Sequence, residues 1–235
     1  MAGSLDVGAI AGLASSIIPD PAKIAEVQGA ISSLDSQGFL KTFFGLFSEG
    51  GGRRNAMSVC NGTNHEIELV KWYLERGYNK VPPKPLLLSM KQDDCLFHNA
   101  GSWAATGSSG IVTFKLRHET TLHIMWECPF DFNLYDNYIG LMLTSDSRFL
   151  LPNEYLFKCM FEDWKEIGKS PKAESTYDLV CCGPGTGKSK EEGGSKPCGY
   201  SRPCIVQDDS YRVLATMGDR HATTSKIVIL NKKKP

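Results

Sequence analysis

No run of 18 consecutive apolar residues occurs in this 235-residue chain, so no segment reads as a resting transmembrane helix. An excess of either charge is also missing, with 26 acidic residues set against 26 basic ones. That balance excludes the bulk field by which basic proteins collect nucleic acid and leaves only local patches. The opening MAGSLDVGAIAGLASSIIPDP lacks the basic start of a secretory leader and carries Asp6 inside its apolar run. Catalytic signatures are absent as well: there is no GxSxG elbow and no Cys/His pair in a recognisable setting. His65, His98, His118, His123 and His221 never fall at metal-ligand spacing, so they read as surface or packing residues. The expectation is a protein that is not an enzyme and needs no cofactor or metal.

What the chain does hold is cysteine, eight in all. Cys60, Cys95, Cys128 and Cys159 are scattered, and Cys181, Cys182, Cys198 and Cys204 crowd one segment. An even count with a cluster points to disulfides in an exported chain, with buried thiols open for the scattered four and zinc a weaker alternative for the cluster. Asn61-Gly62-Thr63 is a glycosylation sequon, meaningful only on export.

The cluster opens on CCGPGTGKSKEEGG, which imitates a phosphate-binding loop. A Walker A loop needs glycine five positions before Gly187-Lys188-Ser189, and Cys182 stands there. The following KEEGGSKPCGYSRPC is broken by Gly and Pro where a helix should begin. The stretch therefore reads as a stapled surface loop rather than a nucleotide site. An enzyme using Lys188 on phosphate stays only as a distant third reading.

Periodicity organises the rest. IVTFKLR and TTLHIMWE alternate with period two around His118-Glu119, a hairpin signal. IELVKWYL, PLLLSM and YIGLMLT add strands with no helices between them, so residues 53–147 predict an antiparallel β-sandwich. Residues 152–164 predict a helix with Tyr155, Leu156, Cys159, Met160 and Trp164 on one side. Two further strands are expected at Tyr211–Met217 and at residues 226–230.

Upstream, Ile24, Val27, Ile31, Leu34, Leu40, Phe43, Phe44 and Phe47 recur at helical spacing, widened by Phe39 and Leu46. A continuous helix over residues 24–47 would reach about 36 Å, against about 30 Å for a bilayer's hydrocarbon core. Gly50, Gly51 and Gly52 follow as a flexible joint, and Arg53 and Arg54 would suit lipid phosphates. At rest such a helix packs on the protein body, which is compatible with later insertion.

Read together, AEVQGAISSLDSQGFLKTFF, RRNAMSVCNGTN, SWAATGSSG and above all CPFDFNLYDNY resemble the actinoporins, pore-forming cytolysins of sea anemones with relatives in other animals and mosses. The resemblance covers about residues 25–163 and resumes near YRVLATMGDRHATTSKIVIL. It implies a mainly β fold: a β-sandwich flanked by two α-helices, with an amphipathic N-terminal helix. Residues 1–23 would be an extension or pro-segment, 24–52 the helix and hinge, and 53–235 the body with an insertion at about 165–209. It further implies a secreted protein that docks on membrane lipids and assembles as a homo-oligomer around a cation-permeable pore. Neither nucleotide nor nucleic acid is an expected partner.

Carried over position by position, the headgroup site keeps Pro129, Tyr135 and Tyr155. Tyr138 and Leu134 stand for loop tryptophans, and Ala104 stands for a valine. Arg76 and Glu127 take the place of small serines, and Cys159 and Met160 that of helix tyrosines. Phe130, Phe132 and Leu134, with Tyr135 and Tyr138, would face the bilayer interface. Tyrosines attract a choline ammonium through cation–π contacts of about 0.5–2 kcal/mol. The altered positions leave sphingomyelin, another phosphocholine lipid or a variant headgroup such as a glycolipid open. A non-lytic lipid- or glycan-binding lectin on the same sandwich is the alternative.

Overall fold

A computed structural model describes residues 53–100, 106–117, 119–130, 136–162, 175–182, 203–218 and 222–232. The helix-and-hinge segment 24–52, the extension before it, Ala104, Phe132, Leu134, Tyr135 and the phosphate-loop lookalike after Cys182 lie outside the described residues.

Among the described residues, twelve strands form two six-stranded sheets. Along the chain they are β1 (Arg54–Gly62), β2 (Ile67–Arg76), β3 (Tyr78–Val81), β4 (Leu86–Leu87), β5 (Lys91–His98), β6 (Ser108–Lys115), β7 (Thr121–Cys128), β8 (Asn137–Thr144), β9 (Ser175–Cys182), β10 (Cys204–Gln207), β11 (Tyr211–Met217) and β12 (Ala222–Asn231). The first sheet runs β10-β11-β12-β1-β5-β3 and the second β4-β2-β6-β7-β8-β9. The hairpin expected around residue 118 is β6–β7, in unbroken register from Ser108↔Cys128 to Lys115↔Thr121. Its apolar residues alternate faces because the strand period is two. Val112, Phe114, Leu122, Ile124 and Trp126 face the other sheet, and Ile111 and Met125 face away.

The space between the sheets is filled from both sides. Met57, Val59 and Phe97 come from the first sheet; Phe114, Trp126, Ile139 and Leu141 come from the second. The Trp126 and Phe97 rings meet across it with centroids 4.2 Å apart. Gly77 turns β2 into β3 at φ +96, and a Cβ there would lie 2.1 Å from the His98 carbonyl oxygen. Only glycine fits both the dihedral and the space.

Five expectations change. The sandwich is not wholly antiparallel, because β1 lies parallel to β12, from Arg54↔Ala222 to Gly62↔Leu230. The stretch 165–209 is not simply a surface loop, since its flanks supply β9, paired to β8 from Asn137↔Cys182 to Thr144↔Ser175, and β10, paired to β11. Cys182 and Cys204 are buried thiols in those strands, their Sγ atoms donating to the carbonyls of Val180 and Asp178. Cysteine here serves as a small core hydrophobe, although Cys181 is disulfide-bonded. Asn61 of the sequon is fully buried, its Nδ2 donating to the carbonyls of His65 at 2.7 Å and Leu87 at 3.0 Å. In this fold it is a turn anchor with no surface for a glycan.

The fifth change concerns the helix. Among the described residues there is one α-helix, α1 (Glu154–Phe161), with a single 3-10 turn before it at Ser147–Phe149. Asn153 caps α1 through its side-chain oxygen, which accepts from the Leu156 amide at 2.8 Å. The cap sets the phase: Leu156, Phe157, Cys159 and Met160 turn inward, and Tyr155 is left 53% exposed. With Ile111, Met125, Met142 and Phe149 they form a second core on the outer face of the second sheet. None of the described helices is long and apolar enough to cross a membrane.

Candidate functional site

On that outer face, beside the last turn of α1, the strand register assembles one row across five strands. Arg76 on β2 sits opposite Ser109 on β6, Ser109 opposite Glu127 on β7, Glu127 opposite Tyr138 on β8, and Tyr138 opposite Cys181 on β9. Three residues named from the resemblance, 76, 127 and 138, thus come together. The register shift between Leu74 and Arg76 brings the arginine rather than Glu75 opposite Ser109.

The chemistry of the row centres on Glu127. Its side chain is only 8% exposed, and its Oε1 lies 3.6 Å from Arg76 Nη1, which belongs to a side chain 54% exposed. Burial pushes the Glu127 carboxyl up to about 7, although Arg76 and the Ser109 hydroxyl pull it down; Glu75 adds to the rise. Desolvation therefore outweighs pairing, as expected where one partner of an ion pair remains in water.

Aromatic rings border the acid. Phe161, the last residue of α1, meets Tyr138 edge-on at 5.3 Å. Phe161 lies 5.9 Å from Phe157, which in turn lies 6.5 Å from Tyr73. The Tyr73 hydroxyl donates to Glu75 Oε2 at 2.6 Å. Tyr155, carried over from the resemblance, stacks on Phe149 at 6.3 Å instead. It sits roughly 9 Å of helix rise before Phe161. Cys159 and Met160 are buried in the core beneath α1. The helical residues that border the site are Phe157 and Phe161, one turn apart, and their spacing was visible in FKCMF once the helix phase is known.

At the same end of β7, Pro129 is buried and Phe130 is 45% exposed. Arg53 clasps Phe130: its Nε donates to the Phe130 carbonyl at 2.7 Å, Nη2 donates to the same oxygen, and the guanidinium stands 5.3 Å from the ring centroid. The two arginines expected at the lipid interface are therefore separated. Arg53 holds the aromatic loop, whereas Arg54 enters β1 and is 2% exposed.

The other reactive groups are built into the packing. His123 is fully buried, 2.8 Å from Thr113 Oγ1, and burial lowers its pKa to about 3. His65 lies 3.1 Å from the Tyr211 hydroxyl. Burial raises the Cys60 thiol to about 11 and lifts Cys95 and Cys128 well above the ordinary value, which removes their nucleophilicity. Among the described residues no three His, Cys, Asp or Glu side chains could hold a metal ion.

No protein-family model matches the chain. Tereporin-Ca1 of Terebra anilis is 26% identical over 194 residues, covering 80% of this chain and 90% of that protein. Bryoporin of Physcomitrium patens is 27% identical over 100 residues, 39% of this chain and 52% of the relative. In fold, the lipid binding protein Nakanori is similar with a TM-score of 0.55 at 12% identity, over 88% of both chains. These similarities support the resemblance to the actinoporin-like proteins that the sequence blocks carry, here in a divergent, cysteine-rich chain.

Proposed function

We propose that the protein is a secreted, pore-forming cytolysin that acts by binding and insertion, with no bond broken. The polar row beside α1 takes a lipid headgroup, Phe130 and its loop enter the interface, and the segment 24–47 inserts as protomers assemble around a cation-permeable pore. One observation carries this reading: the row brings a guanidinium, a carboxylate and aromatic rings together next to an exposed phenylalanine. A phosphate-bearing, amphipathic ligand would satisfy all of these at once. Arg53, the residue directly after the triglycine joint, supports the coupling because its side chain holds the Phe130 carbonyl.

The test is release of an encapsulated dye from vesicles of varied headgroup, with binding measured in parallel. The wild-type chain is expected to bind and release dye. A Gly50→Pro/Gly51→Pro variant, stiffened at the joint, is expected to bind equally and to release little. Binding without release by the wild-type chain would defeat the pore and favour the non-lytic lectin reading. The replacement of two small serines and two cage tyrosines is the observation on which that second reading rests.

A further inference from the structure

We propose that the row selects a headgroup carrying both a phosphate and a primary ammonium, an ethanolamine-type lipid, with Arg76 taking the phosphate and Glu127 the ammonium. This rests on the membrane-docking reading above and narrows it to one ligand chemistry.

The argument starts from the unlike exposure of the paired charges. Arg76 is half in water and Glu127 is nearly sealed, yet they stand only 3.6 Å apart. A single ion pair leaves both with unused capacity: a guanidinium has five N–H donors, and a carboxylate has about four lone-pair sites. A zwitterion with a two-carbon spacer carries opposite charges at comparable spacing, and it can lie antiparallel to this pair. The phosphate then makes the forked contact guanidinium favours. The ammonium supplies the charge-assisted donors that a desolvated carboxylate lacks.

A trimethylammonium group has no N–H to give. It is recognised instead by the faces of several rings, and among the described residues that arrangement is reduced. Cys159 and Met160 lie under α1, Tyr155 stacks on Phe149, and Tyr138 already receives Phe161 edge-on. An acid in place of a cage favours the hydrogen-bonding cation over the methylated one.

The groups around Glu127 set the pH dependence. From β2 come Arg76 and Glu75, from β6 Ser109, and from β8 Tyr138. On α1, the charged pair Glu154 and Lys158 is satisfied internally at 2.5 Å. Since the free carboxyl titrates at about 7, a proton competes with the ammonium as pH falls, and ammonium binding weakens from pH 8 to pH 6.

The experiment is cosedimentation of the full chain with vesicles of phosphatidylcholine alone and of the same lipid mixed with phosphatidylethanolamine, sphingomyelin or a neutral glycolipid. The ethanolamine lipid is expected to bind roughly tenfold tighter than the other three, as for a gained charge-assisted contact. Glu127→Gln should erase that preference, as should the Arg76→Ser/Glu127→Ser variant that restores two small serines. Thermal melts confirm that both variants fold. Equal or tighter binding to sphingomyelin, tighter binding to the glycolipid, or an undiminished preference in Glu127→Gln overturns the ethanolamine assignment and leaves membrane docking standing. Failure to bind any of the four vesicles overturns membrane docking itself.

Discussion

Replacing Trp126 with alanine is expected to cost about 3–5 kcal/mol of stability, the range for deleting a large buried aromatic. Folded domains typically hold only about 5–15 kcal/mol in all, so this change should bring the sandwich close to unfolding. The side chain is fully buried on β7 and reaches across to Phe97 on β5, so it belongs to both sheets. Its Nε1 donates to Ser108 Oγ at 3.3 Å. A Cβ on Gly110 would come within 3.0 Å of the ring, so the indole fills its space against the neighbouring strand. Alanine would therefore leave a cavity on the sheet-to-sheet contact and an unfilled gap at Gly110. Urea unfolding of the two proteins measures the difference, and a loss below about 1 kcal/mol would mean that the sheets can close over the gap.

Glu127→Gln is expected to act in the opposite direction and to depend on pH. The Glu127 carboxyl is raised in the folded state to about 7 from the ordinary 4.5, mainly by desolvation. Between these values the folded chain holds a proton that the unfolded chain has lost. Stability from this group is thus fully present below about pH 4.5 and drains away as pH rises to about 7. The full cost is at most about 3 kcal/mol above that point, at 1.36 kcal/mol per pKa unit. Glutamine keeps the shape without the charge, and Arg76 is exposed enough to be rehydrated when its partner is neutralised. The variant should melt roughly 5–10 °C higher than wild type at pH 8 and nearly level with it at pH 4.5. Equal melting temperatures at pH 8 would show that the carboxylate is better solvated than its 8% exposure implies.

An acid that destabilises its own fold at neutral pH is what a binding site rather than a core position retains. The same residue therefore ties the stability prediction to the ligand prediction. Glutamine should gain stability and lose the preference for the ammonium headgroup.

The hairpin β6–β7 was legible because one of its faces is buried between sheets and the other beneath α1, and period-two alternation survives in both. β1 was not legible as a strand by pattern. RNAMSVCNG is almost entirely buried despite its polar residues, because Asn55 accepts from Ser225 Oγ at 2.7 Å and Asn61 is bonded within the turn. Tertiary partners override its composition. β9 was hidden by the crowded cysteines, which read as staples when one of them, Cys182, is core. For the site, the residue types at 76, 127 and 138 were readable from the family resemblance. Their alignment in one row depends on strand register and on a bulge after Leu74, which no local pattern encodes. The phase of α1 was hidden for a similar reason: the Asn153 cap sets which face turns inward, which stacks Tyr155 on Phe149 and brings Phe161 to Tyr138.

The central claim of the proposed function is that the apolar stripe of residues 24–47 enters lipid once the row and the Phe130 loop have docked. An environment-sensitive fluorophore on a cysteine introduced at Phe43 reports this directly. Addition of dye-tight vesicles should shift its emission to that of a hydrocarbon environment, and a lipid-phase quencher should then extinguish it in step with dye release. Emission unchanged on vesicles that demonstrably carry bound protein, with the quencher without effect, would contradict the account.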